Sequence, residues 1–117
     1  MGTLHNLKCE ACSVNAHRLS ADEIASLMPD VPHWELIEDG TIQKLKRVFR
    51  TDNFIQSMAL TNAIAEQAEK DNHHPQLIVE YSSVTVIWWT HKIHGLHKND
   101  FIMAYHTSNL YANITGE

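Results

Sequence analysis

The sequence predicts an α+β two-layer sandwich: a four-stranded antiparallel sheet with three helices on one face, in the order α-β-β-α-β-β-α. Three observations carry this. Two pairs of short strand-like runs are each joined by a tight-turn signal, Asp39-Gly40 and Ser82-Ser83, so each pair reads as a hairpin. A long helical pattern separates the hairpins, which gives an antiparallel sheet with its helices on one side. The run Val84 to Thr90 is apolar on both faces, the pattern of a central strand.

Each element has a local cause. Ser20-Ala21-Asp22-Glu23 is a capping box, in which the serine hydroxyl accepts the N3 amide and Glu23 reaches back. Ile24, Leu27 and Met28 mark the apolar face of the short helix that follows, and the Pro29 and Pro32 region ends it. Trp34 to Glu38 reads as a strand and Ile42 to Arg50 as its hairpin partner. Thr51 or Asp52 caps a longer helix whose stripe holds Phe54, Ile55, Met58, Ala65 and Ala68 and runs to about Lys70. Leu77 to Tyr81 is the third strand and Val84 to Thr90 the fourth. The last helix starts near Lys98, carries Phe101, Ile102 and Tyr105, and gives way to a polar tail after Asn109.

The chain has 117 residues, enough for one domain with a single core, and its 44% hydrophobic and 20% charged residues are those of a globular chain. A net charge of −5 argues against a nucleic-acid surface, which needs clustered Lys and Arg. The one basic cluster, Lys44-Leu45-Lys46-Arg47 with Arg50, alternates with apolar residues and reads as the wet face of a strand. No apolar run approaches the roughly 20 residues of a membrane span, and none is long enough for a signal peptide. A cytoplasmic protein without membrane or nucleic-acid partners is expected.

Both cysteines fall in Cys9-Glu10-Ala11-Cys12. No strand precedes this motif, so thioredoxin-like chemistry does not fit, and zinc would need two more ligands from His5 and His17. Residues 1–18 are expected to form a loose arm with two reduced thiols, the alternative being a metal that pins the arm. Residues 19–117 form the domain.

The most informative stretch runs from Glu69 to Asp100: Glu69-Lys70-Asp71-Asn72-His73-His74-Pro75, then Tyr81, Trp88-Trp89-Thr90-His91, Gly95-Leu96 and Asp100. Imidazole is the side chain whose ordinary pKa lies between pH 5 and 8, so a histidine pair with a third histidine nearby can give and take protons at neutral pH. The pair lies where the long helix gives way to strand three, and His91 lies just past strand four. In a hairpin the start of one strand lies beside the end of the other, which brings His73 and His74 close to His91. Alternation puts His91 on the face of Trp89 and Ile87, and Thr90 on that of Trp88 and Val86. His91, His94 and His97 are spaced like metal ligands, but Gly95 breaks the helix that would align them, so no metal is expected there. His5, His17, His33 and His106 read as incidental.

The order and spacing of this stretch closely resemble the pterin-4a-carbinolamine dehydratase family, with its His-His-Pro, a Thr-His some sixteen residues on and a Gly-Leu-x-x-x-Asp after that. The resemblance extends in weaker form from about Leu19 to Tyr105, and the family's architecture agrees with the predicted one. It implies dehydration of a 4a-hydroxytetrahydropterin to quinonoid dihydropterin and water, recycling the pterin of aromatic amino acid hydroxylases without cofactor or metal. It places His73 and His91 nearest the leaving hydroxyl, with His74 holding the pterin and sharing in proton transfer. Glu69 matches an acidic family position and is either an acceptor for a pterin N–H or a solvated helix end. Asn72, Trp89 and Thr90 are the other expected substrate-binding positions, Trp89 as a stacking surface beside His91. Asp100 is either a helix N-terminal carboxylate or the acceptor that orients His91. His97 departs from the family, where Ser or Thr makes a capping box, so a weaker helix start is expected. The resemblance also implies a homo-oligomer, dimer or tetramer. The alternative function is a scaffold or transcriptional coregulator of the same fold, since a mammalian relative also serves a transcription factor.

Overall fold

The structure, a computed structural model, describes residues 17–116. The Cys9–Cys12 motif and nearly all of the expected arm lie outside the described residues. Helix α1 spans Ala21–Leu27 behind the capping box of Ser20 and Glu23, and a short 3-10 turn carries the chain through Pro29. Strands β1 (Glu35–Asp39) and β2 (Ile42–Arg50) form the first hairpin, α2 spans Phe54–Asp71, β3 (Gln76–Glu80) and β4 (Ser83–Trp88) form the second, and α3 spans Lys98–Thr115. The sheet is antiparallel throughout, in the order β1-β2-β4-β3. The expected α+β sandwich is therefore the observed one, with β2 and β4 central.

Local boundaries shift where a side chain does something the sequence pattern does not show. Asp39 pairs with Ile42, so the first turn is Gly40-Thr41, with Gly40 at φ 67°. Trp34 precedes β1 and is buried, its indole N–H donating to Ser108 Oγ at 2.9 Å. The cap of α2 is Asn53, whose Oδ1 accepts the Gln56 N–H at 2.8 Å, one residue beyond the expected Thr51 or Asp52. The second turn is Tyr81-Ser82, because Ser83 already pairs with Glu80.

Two helical readings are corrected. The buried stripe of α2 is Ser57, Leu60, Ile64 and Ala68, while Phe54 and Ile55 are 50% and 77% exposed. Ser57 is polar, yet it is satisfied inside by Thr51 Oγ1 at 2.6 Å and the Tyr81 carbonyl at 3.3 Å, so hydropathy alone phases this helix wrongly. Helix α3 continues through the expected polar tail, because Leu110, Tyr111 and Ile114 pack on the core. Leu45, Phe49, Val84, Val86 and Trp88 from the sheet meet Leu60, Ile64, Phe101 and Ile102 from the helices. Each large side chain buried there contributes about 1.5–3 kcal/mol, enough to fix both helices on the sheet.

Candidate active site

The end of α2 sets the geometry. Asn72 adopts a left-handed conformation at φ 52° and ψ 43°, which asparagine tolerates better than most residues. Its N–H and that of His73 fold back onto the Glu69 and Ala68 carbonyls at 3.3 and 3.1 Å, a Schellman closure. This turn sends the two histidines apart. His73 goes inward, 4% exposed, its ring parallel to Trp88 with centroids 5.5 Å apart and 6° between planes. His74 goes outward, with Nε2 at hydrogen-bonding distance from Glu69 Oε2 and a side chain that is 53% exposed.

Beyond β4 the chain forms a small closed loop. Thr90 and Gly95 pair across it, Thr90 N–H donating to the Gly95 carbonyl at 2.9 Å. A Cβ on Gly95 would stand 2.6 Å from Arg18 Cδ, so any side chain there would have to displace the exposed Arg18 side chain. His91 opens a 3-10 turn within the loop, with its ring against Trp89 at a centroid distance of 4.3 Å. Because Gln76 pairs with Ile87, extending the register brings residue 73 opposite residue 90. Asn72, His73, His74, His91 and Lys92 line one pocket of about 140 Å³. A larger concavity of about 200 Å³ lies elsewhere, beside Arg47, Tyr105 and Ser108, and no pair of imidazoles faces it.

Asp100 anchors the arrangement from the first turn of α3. Its carboxylate is fully buried; Oδ1 is 2.7 Å from His73 Nε2, and Oδ2 accepts from the Thr90 hydroxyl at 2.8 Å and the His97 N–H at 2.9 Å. The carboxylate thus meets His73, not His91, while also sitting at the helix N-terminus. Thr90, expected among the ligand-binding residues, is 1% exposed and spends its hydroxyl on Asp100. His97 caps α3 after all, its Nδ1 accepting the Asn99 N–H at 3.0 Å. As acceptor, Nδ1 carries no proton, so the imidazole supplies what a serine hydroxyl supplies elsewhere.

The surroundings of His91 hold its pKa below the ordinary 6.5: partial burial is the main cause, the charges of His73, Lys44 and His74 add to it, and Asp100 opposes them. Trp89 is already engaged, with His91 beside it and the Lys44 ammonium 3.8 Å from its ring centroid. Lys44, read from sequence as part of a wet strand face, is 7% exposed. Its place beside Trp89 follows from the β2–β4 pairing, which joins strands distant in sequence and has no local signal. Among the described residues, no three His, Cys, Asp or Glu side chains gather as metal ligands.

The fold and pocket define an α+β protein that gathers three imidazoles in unlike surroundings, a site suited to proton transfer. The chain belongs to the pterin-4a-carbinolamine dehydratase family: the family described as Pterin 4 alpha carbinolamine dehydratase matches residues 17–110. A Nitrosococcus oceani protein named "Putative pterin-4-alpha-carbinolamine dehydratase" is 50% identical over 110 residues, covering 94% of this chain and 97% of its own length. A Marinobacter nauticus protein of the same name is 48% identical over 111 residues, covering 95% of this chain and 100% of its own. Among solved structures, a Brucella melitensis protein described as a transcriptional coactivator/pterin dehydratase superposes with a TM-score of 0.75 at 26% identity, over 81% of this chain and 99% of that one. A pterin dehydratase-like protein described as a RuBisCO assembly factor shares the fold alone, at 19% identity and a TM-score of 0.58, over 67% of this chain and 88% of that one.

Proposed function

We propose that this chain dehydrates 4a-hydroxytetrahydropterin by histidine general acid–base catalysis. The carrying observation is that His73, His74 and His91 line one pocket, in a chain of this family, with three different environments. The reaction removes the N5 proton and expels the C4a hydroxyl as water, leaving quinonoid dihydropterin. It needs one group that accepts a proton and one that gives one, each contributing about 10²–10⁴-fold. His91, with its pKa below the ordinary value, is neutral at pH 7 and suits the accepting role. His73, held by Asp100 and Trp88, offers an imidazole of fixed orientation to the leaving hydroxyl. His74 and Glu69 at the open rim hold the pterin ring, and Asn72 shapes the rim beside them. Thr90 acts through Asp100 rather than on the ligand. Recycling the pterin of an aromatic amino acid hydroxylase is the physiological role this implies, and the exposed apolar Phe54, Ile55 and Ile78 support a homo-oligomer, which light scattering reads directly.

The test follows decay of the carbinolamine, generated in situ by a hydroxylase, with and without this protein in the presence of a chelator. Faster decay is expected; decay at the uncatalysed rate would leave the interaction role named for the Brucella relative as the better reading.

A further inference from the structure

Lys44 is a buried lysine of β2, its salt-bridge partner Asp39 an exposed carboxylate. It projects from β2 next to Trp89, one step beyond the Leu45–Trp88 pair. Only 7% of the residue is exposed. A lysine at such a position ordinarily lays its stem on the sheet and keeps the ammonium in solvent, because desolvating the charge costs more than the apolar contact returns. Here the ammonium is turned over an indole, 3.8 Å from the ring centroid, and tethered to Asp39 Oδ2 at 2.8 Å. The other neighbour of that indole is His91, with centroids 4.3 Å apart and 37° between planes.

We propose that Lys44 is a positioning residue for His91: its ammonium fixes the Trp89 ring against which the imidazole packs, and it supplies a fixed positive charge beside that imidazole. The contact stands by itself; its consequence for turnover rests on the dehydratase reading above. The titratable and charged groups around His91 are His73 and His74 from the end of α2, Asp100 from α3, Lys44 from β2, and Lys92 and His94 on its own loop. Burial lowers the His91 pKa most, His73, Lys44 and His74 act in the same direction, and Asp100 opposes them. Imidazoles as a class change charge between pH 5 and 8, whereas lysines as a class stay charged there. Lys44 is thus the non-imidazole cation that sets the field on the sheet side of the ring. The hydrogen bond from Lys44 holds the Asp39 carboxyl below its ordinary range, with the lysine charge adding to it, so the tether persists into mildly acid solution.

The test follows the ring protons of His91 by NMR across pH in the whole protein, with the resonance assigned by its loss in His91→Gln. Lys44→Met keeps the stem and removes the charge. The His91 midpoint is expected to rise by a few tenths of a pH unit, and the acid limb of the dehydration rate to move to higher pH with it. Lys44→Arg, which keeps both charge and ring contact, is expected to restore the wild-type midpoint. A folded Lys44→Met protein with an unmoved midpoint overturns the proposal. Should Lys44→Met fail to fold, Lys44→Gln takes its place: it likewise removes the charge, with a shorter polar side chain, and the midpoint must rise. An unmoved midpoint there also overturns the proposal. The midpoint needs no substrate, so its failure is distinguishable from absence of dehydratase activity.

Discussion

His73 and His74 are adjacent in sequence and opposite in circumstance. One is stacked on Trp88 and bonded to a buried carboxylate; the other stands at an open rim beside an exposed glutamate. The difference arises at Asn72, whose left-handed turn ends the helix and points successive residues to different sides. Structure and reactivity are therefore separable here. On the function proposed above, a change at His73 should disturb the fold as well as the chemistry, while a change at His74 should disturb binding alone.

The strongest way to break this contrast is Asp100→Ala. It strands His73, the Thr90 hydroxyl and the His97 N–H inside the protein, and the expected loss is about 3 kcal/mol in a urea unfolding titration, with activity lost as well. A loss under about 1 kcal/mol would mean that the carboxylate does not hold the buried side together. Next come the paired substitutions. His73→Ala should cut kcat by about 10²-fold and lower the melting temperature clearly. His74→Ala should raise KM, leave kcat within a few-fold, and change stability by less than about 0.5 kcal/mol. Equal melting temperatures for the two variants would erase the distinction.

A smaller effect is expected from pH. The folded-state pKa of His91 lies below the ordinary 6.5, so between those values the unfolded chain binds more protons than the folded one. Stability should therefore rise with pH through that window and level off above it, and His91→Gln should flatten that limb. A stability profile unchanged by the substitution would show that His91 feels no net burial. The smallest effect belongs to Glu69→Gln, which removes an exposed partner of His74 and should cost no more than about 0.5 kcal/mol by thermal melting.

What was legible in the sequence was what local chemistry writes. Alternating strands, turn residues and the Ser20–Glu23 box gave the element order, and the His-His-Pro and Thr-His spacing gave the pocket. What escaped depends on partners far along the chain. Ser57 looks like a surface residue until Thr51 and Tyr81 satisfy it, and the phase of α2 follows from that burial. Lys44 looks solvated until β2 lies against β4 and sets it beside Trp89. Thr90 matches the ligand-facing pattern, yet its hydroxyl is taken by a carboxylate ten residues on. His97 breaks the usual serine or threonine pattern at a helix start, and only its buried geometry reveals that a ring nitrogen fills the same role.

The carboxylate of Asp100 touches three segments at once: the end of α2, the loop after β4 and the first turn of α3. A link of that kind makes partly open states rarer in the native ensemble. None of the three segments can open without leaving a buried oxygen or a buried donor unpaired, so local opening there costs more than at a loop held only by solvent-exposed bonds. In hydrogen exchange, the backbone amides of Thr90 and His97 should be released later than those of such a loop, although both flank a loop that borders solvent. The inner wall of the pocket is thereby joined to the core through a single buried carboxylate.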